Sequence, residues 1–158
     1  MTNQWRRRLE PAITPLFRAY WRFTRPMTLG VRGIACDDDG RVLLVRHTYT
    51  DGWHLPGGGV ENDETALAAI VREMQEEGGV FAEAEPTLLG FYANHALFRN
   101  DHVAVYRFST WRPCDPSTPM EIAERGFFAR DALPAGVTGG TRRRLAEAFE
   151  GVTPAAEW

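Results

Sequence analysis

The period of the apolar positions changes along the chain. Ile13, Leu16, Phe17, Tyr20 and Trp21 recur at helical spacing, with Arg18, Arg22 and Arg25 on the opposite face. Thr14-Pro15 supplies a helix start and Pro26 ends the segment. Residues 28–36 and 41–47 are rich in Val, Ile and Leu and predict strands, with Asp37-Asp38-Asp39-Gly40 as a hairpin turn between them. Helical spacing returns over residues 64–77, with Asn62 or Asp63 as N-cap and Gly78-Gly79 as the stop. Two further strands are expected over 86–93 and 102–111, separated by a polar turn at 99–101, and 113–119 reads as a loop. Residues 121–129 become strand-like at 126–129, and 141–149 form a closing helix. Strands interspersed with helices predict an α/β or α+β sandwich. There is no internal repeat and no low-complexity tract.

A chain of 158 residues suits one domain, and at this size about 68–70% of the unfolded surface can be buried, so the core needs no staples. Its 44% hydrophobic and 25% charged residues exclude a disordered or fibrous chain. The net charge of −3 is unevenly spread. Residues 1–26 carry six Arg and one acid, a net of +5, while residues 27–158 carry twelve Arg and twenty acids, a net of −8. An acidic body argues against a nucleic-acid polymer as partner. The basic amphipathic leader has two readings. Its aromatic stripe docks on its own domain or on a second subunit as a homodimer, or it makes a peripheral contact with an anionic membrane. It lacks the apolar stretch of a secretory signal, and no run is long enough to span a bilayer. Two cysteines, Cys36 and Cys114, make no disulfide framework, so a reducing, cytoplasmic location is expected.

The chemistry concentrates in residues 57–80, where a glycine-rich loop runs into a helix carrying Glu64, Glu73, Glu76 and Glu77. At about 100° per residue, Glu73, Glu76 and Glu77 fall within an arc of about 100°. The apolar stripe of Leu67, Ile70, Val71 and Met74 is centred about 120° away, so one side packs on the core and a neighbouring side presents carboxylates. Like charges at this spacing destabilise a helix. Either the face is simply solvated, or it answers to a hard divalent cation such as Mg²⁺ or Mn²⁺, for which oxygen ligands are suited.

The order Gly58, five residues, Glu64, seven residues, Arg72-Glu73-Met74, one residue, Glu76-Glu77, one residue, Gly79-Val80 resembles the complete box of the Nudix (MutT-like) hydrolase family. The resemblance implies an α/β fold, an α/β/α sandwich on a mixed β-sheet, covering residues 28–150, with a leader over 1–27 and a tail over 151–158. It also implies an enzyme that uses Mg²⁺ or Mn²⁺ to hydrolyse a nucleoside diphosphate linked to another group, giving a nucleoside monophosphate and a phosphorylated product. By the same resemblance Glu76 and Glu77 are metal ligands, Glu73 is a third ligand or the general base, and the Gly58 carbonyl is a further ligand. Arg72 then orients a neighbouring carboxylate, Glu64 supports from behind, and Gly57 and Gly59 let the backbone approach metal and phosphates.

Other residues are candidates with bland alternatives. Glu121, or Glu124, is a late acidic ligand or a solvated loop residue. Arg46 holds a phosphate or is an ordinary surface arginine. Tyr49, Trp53 and His54 stack on a base, although Trp53 and Leu55 also read as packing, while His95 and His102 read as ordinary histidines. The proline that follows the box in ADP-ribose-cleaving relatives is absent, since that neighbourhood holds His95 and Ala96. Nucleoside triphosphates, sugar nucleotides and RNA 5′ ends stay open as substrates. Two other readings are a non-catalytic Nudix-fold nucleotide sensor and a Nudix enzyme recruited to membranes by its leader.

Overall fold

The structure, a computed structural model, describes Tyr20, residues 26–117 and residues 120–158. The helix predicted for the leader lies outside the described residues except for Tyr20, which is helical and exposed. The described elements run β1 (Thr28–Ala35), β2 (Val42–His47), α1 (Ala66–Glu76), β3 (Val80–Ala82), β4 (Thr87–Ala93), β5 (Asp101–Phe108), β6 (Trp111–Pro113), β7 (Ile122–Phe128) and α2 (Gly139–Phe149).

The turn after β1 forms where the aspartates predict it. The Gly40 N–H donates to the Asp37 carbonyl at 2.9 Å, and Asp37 Oδ1 accepts the N–H groups of Asp39 and Arg41. The two strands it joins then part company after a single bridge between Cys36 and Val42. β1 pairs in parallel with β5, from Thr28 opposite Asp101 to Ala35 opposite Phe108, and β5 pairs antiparallel with β4, which makes this sheet mixed. β2 pairs antiparallel with β7 instead of with β1. The expectation of strand character only at 126–129 is therefore corrected, because the ladder to β2 draws residues back to Ile122 into the strand.

Alternation along the strands builds two cores. Val31, Ala35, Leu43, Ala104, Tyr106 and Phe108 face Ala69, Ile70 and Met74 of α1. Ile34, Val42, Leu44, Val103 and Val105 face Leu145 of α2 on the other side, together with Leu55, Tyr92 and Val137. The result is an α/β/α sandwich. Met74 is fully buried between α1 and β1. Met74→Ala is expected to cost about 2–5 kcal/mol through lost burial and the cavity left behind, checked by urea unfolding of the two proteins side by side.

The start of α1 departs from the sequence reading. Thr65 is the N-cap, its Oγ1 accepting the Ala68 N–H at 3.1 Å, in place of Asn62 or Asp63. Asp63 is unsuited to the cap because it sits at φ 62° inside the turn in which the Glu64 N–H reaches the Glu61 carbonyl. The helix ends at Glu76 with Glu77 as its C-cap, and the chain leaves it through Gly79, whose φ of 64° few other residues adopt without strain. Residues after α2 return to the sheet, where the Ala93 N–H donates to Ala156 and the Trp158 N–H to Ala93. Arg144, 1% exposed, fastens this return through the Glu157 carbonyl at 3.0 Å and Glu147 at 2.7 Å.

Candidate active site

The glycine-rich loop is laid along β1. The Val31 N–H donates to the Gly58 carbonyl at 2.8 Å, Gly33 to Pro56 at 2.9 Å, and Val60 to Leu29 at 2.9 Å. This fixes the loop against the C-terminal half of α1. Glu73 and Glu77, one turn apart, point at it and are 9% and 4% exposed. The Gly57 N–H donates to Glu77 Oε2 at 2.8 Å. The Glu73 carboxylate occupies the space beside Gly58, where a Cβ would lie 2.4 Å from Glu73 Oε1. Of the apolar stripe, Ile70 and Met74 are buried and the half-buried Leu67 packs against the same core, while Val71 is half-buried. The loop offers polar backbone groups, so the side of α1 that meets it can bury carboxylates as well.

Arg72 gathers the acidic residues. Its Nε and Nη2 donate to the two oxygens of Glu64 at 3.0 Å each, and Nη1 donates to Glu73 Oε1 at 2.7 Å and Glu76 Oε2 at 3.2 Å. Nη2 also reaches the Gly59 carbonyl at 3.2 Å. The hydrogen bonds from Arg72 hold the Glu64 carboxyl below its ordinary pKa. Burial does the reverse to Glu73 and Glu77, raising both, and Glu77 rises to about 7 although the Gly57 N–H and Arg32 favour its ionised form.

A second group meets Glu77 from the sheet. His47 Nδ1 lies 3.5 Å from Glu77 Oε1, too far for a good hydrogen bond, and this buried nitrogen has no hydrogen-bond partner. Burial, with Arg32 and His54 adding, lowers the His47 pKa to about 4, so the imidazole is neutral and makes no ion pair. Tyr49 and His54 flank the ring at centroid distances of 5.1 and 5.7 Å. A cavity of about 410 Å³ opens here, lined by Arg46, His47, Tyr49 and Asp51 among others. From β1, the Arg32 guanidinium donates to the Gly57 carbonyl.

The remaining candidates are sorted by their contacts. Arg46 pairs with Glu124 across the β2–β7 ladder while also lining the cavity. Trp53 packs edge-on against Phe128 at 4.8 Å, and Leu55 is fully buried, which gives both to the core. His54 is held by the Asp51 carbonyl at 3.0 Å. Glu121 receives the Thr48 N–H on its carbonyl, and its charge helps raise Glu77. His95 and His102 form a separate ring cluster with Phe91. Sequence reasoning missed Arg32 and His47. An arginine inside the run Thr-Leu-Gly-Val-Arg-Gly-Ile-Ala was the available signal for the first, and a histidine closing an apolar strand for the second.

Comparison with known proteins bears on this arrangement. The NUDIX domain family model matches residues 26–148. A MutT-like protein of Streptomyces ambofaciens is 30% identical over 132 residues, 80% of each chain. An RNA pyrophosphohydrolase of Halorhodospira halophila is 47% identical over 57 residues, 36% of this chain and 31% of that protein, so the chain spans less than a third of that relative. The crystal structure of a MutT NUDIX hydrolase from Burkholderia pseudomallei superposes with a TM-score of 0.64 at 30% identity, covering 81% of this chain and 99% of that one. With a family model matched over most of its length, this chain belongs to the Nudix hydrolase family and is an enzyme of the pyrophosphohydrolase class.

Proposed function

We propose that this enzyme hydrolyses a pyrophosphate bond in a small nucleotide, a nucleoside diphosphate linked to another group, with Mg²⁺ or Mn²⁺ held by Glu73, Glu76, Glu77 and the Gly58 carbonyl. The observation that carries this reading is the pair of buried carboxylates, Glu73 and Glu77, set against the loop backbone with Glu76 beside them. The donor chemistry fits such an ion, being oxygen throughout. Burial presses Glu73 and Glu77 toward their neutral forms, and a bound cation would favour ionisation. Among the described residues no three acidic, His or Cys side chains converge on one point as they stand. Arg72 Nη1 bridges Glu73 and Glu76, and an ion shared by these two competes with it.

Phosphoryl transfer asks the protein mainly for positioning and charge neutralisation. When bound, a divalent ion neutralises phosphate oxygens and acidifies a water. The chain's own residues do the rest. Glu73, raised above its usual range by burial, is suited to accept a proton from the attacking water. Arg72, gripped by Glu64, keeps Glu73 and Glu76 in register, and Gly57 orients Glu77. Glu121 is a further acidic candidate at the rim. Tyr49, which lines the cavity, and His54, which flanks His47, are candidates to meet the base. Cys36 and Cys114 are unpaired, which suits a reducing, cytoplasmic setting, and no helix among the described residues is long and apolar enough to cross a membrane.

RNA 5′ ends are the second reading, favoured by the 47% identity to the Halorhodospira RNA pyrophosphohydrolase over 57 residues and opposed by the acidic body. A panel of nucleotides and a 5′-triphosphate RNA oligomer, each with Mg²⁺ and Mn²⁺ and with products resolved by chromatography, tests both. Release of a nucleoside monophosphate is the expected result, and no turnover of any member would overturn the proposal. Labelled water then identifies the phosphorus attacked. Chelation with EDTA is expected to abolish activity while the cooperative melt survives, because the carboxylates border the α1 core instead of forming it. An EDTA-treated sample without a cooperative melt would contradict that arrangement.

A further inference from the structure

We infer that Arg32 is the residue that grips the diphosphate of the substrate. The inference rests on the reading of this enzyme as a nucleotide pyrophosphohydrolase and adds the group that holds the leaving and retained phosphates in place. Arg32 rises from β1, an otherwise apolar and glycine-rich strand, and is partly buried beside the carboxylate site. One N–H donates to the Gly57 carbonyl, whose own N–H donates to Glu77. Its other N–H groups meet no acceptor among the described residues. The other partly or fully buried arginines near acids are treated differently by the fold. Arg72 is matched by Glu64, Glu73 and Glu76, and Arg144 by Glu147. Arg46, which lines the cavity beside His47, is matched by Glu124.

A guanidinium anchored at one corner by the Gly57 carbonyl, and close enough to the cavity-lining His47 and Tyr49 for its charge to act on both, has the shape that takes two phosphate oxygens at once. Its position follows from the chain. Because the loop lies along β1, residue 32 stands directly beside Gly57, where the charges of Glu77 and Glu73 favour its charged form against the larger opposing effect of burial. The same geometry links the two halves of the site, since a ligand pulling on Arg32 acts through Gly57 on the carboxylate of Glu77.

The test is direct binding of methylenediphosphonate, a non-hydrolysable analogue of pyrophosphate, by calorimetry with Mg²⁺, alongside turnover of the nucleotide panel by the same preparations. Arg32→Gln keeps an N–H for the Gly57 carbonyl but removes the charge, and Arg32→Lys keeps the charge but removes the fork. Arg32→Gln is expected to weaken binding roughly 10- to 100-fold, the range for hydrogen bonds to a charged group, with a smaller loss for Arg32→Lys. Arg41→Gln, which loses the same charge at the distant turn where Arg41 pairs with Asp37 and Asp39, should change affinity less than about twofold. Thermal melts confirm that each variant folds, and if Arg32→Gln does not, Arg32→Lys carries the comparison. Wild-type affinity in a folded Arg32 variant, with the wild-type protein active on the panel, overturns the role of Arg32 and leaves the hydrolase reading standing. A wild-type protein that neither binds the probe nor cleaves any nucleotide overturns both.

Discussion

Glu77→Gln is expected to lower kcat by roughly 10²–10⁴-fold, the range seen when a principal electrostatic stabiliser is lost. The substitution keeps the size of the side chain and an oxygen to accept the Gly57 N–H, so the loop stays in place and only the charge goes. Glu73→Gln should be of similar severity, since a ligand or a base is lost with the same ionised oxygen. Glu64→Gln should be milder, about tenfold, because Glu64 meets the other carboxylates through Arg72, and an amide oxygen still accepts one of the two hydrogen bonds that Arg72 donates, the third coming from the Glu61 N–H. Folding should hold in all three. Glu73 and Glu77 are carboxylates raised by burial, so replacing either by a neutral amide removes a buried charge instead of a stabilising one. The order of the three kcat values is the informative result. An active Glu77→Gln beside a dead Glu64→Gln would put the metal at the other end of the helix.

Gly57→Ala should be the most damaging single change to the fold. Gly57 sits at φ 139°, where side chains are strained, and a Cβ there would fall 2.1 Å from the Val31 carbonyl oxygen and 3.0 Å from Arg32 Cα. These are backbone atoms held in the sheet by the parallel ladder to β5, so they cannot turn aside as a side chain can. Backbone strain and overpacking of about 1–3 kcal/mol each give a loss of about 2–6 kcal/mol. That is a large part of the about 5–15 kcal/mol by which domains are stable. Gly59→Ala is the matched control, as nothing lies within 4 Å of a Cβ built there. Urea unfolding of the pair should show a collapsed midpoint for the first and a shift within about 0.5 kcal/mol for the second. Equal midpoints would mean that the loop does not lie on β1 as described.

The box helix, most strands and the aspartate turn were legible because their signals are local. Spacing within a dozen residues specifies them. What was illegible depended on partners far along the chain. Nothing near Thr28–Ala35 says that the strand takes Asp101–Phe108 as its neighbour instead of β2, since the choice lies in a register between segments some seventy residues apart. The three-residue strands Val80–Ala82 and Trp111–Pro113 are too short to show alternation and exist because each pairs with the other. In the site, the carboxylates were found by spacing, but their burial was not. A hydropathy stripe assigns every glutamate to solvent, whereas Glu73 and Glu77 are buried against backbone polar groups supplied by the loop. The partner of Arg46 was hidden for the same reason, as Glu124 becomes its neighbour only through the β2–β7 ladder.

Arg72 also bears on how the protein is made. A helix that buries acidic residues ordinarily faces their mutual repulsion as it docks, and many metal sites hold together only once the ion arrives. Here the chain brings its own cation. As α1 closes on the sheet, the guanidinium of Arg72 meets Glu64, Glu73 and Glu76 within the same segment of fifteen residues from 62 to 76, with no supply from solution needed. If the carboxylates hold a divalent ion as proposed, folding and metal acquisition are uncoupled: the domain is expected to reach its native form before any ion binds, and the ion then enters by displacing contacts that Arg72 already makes.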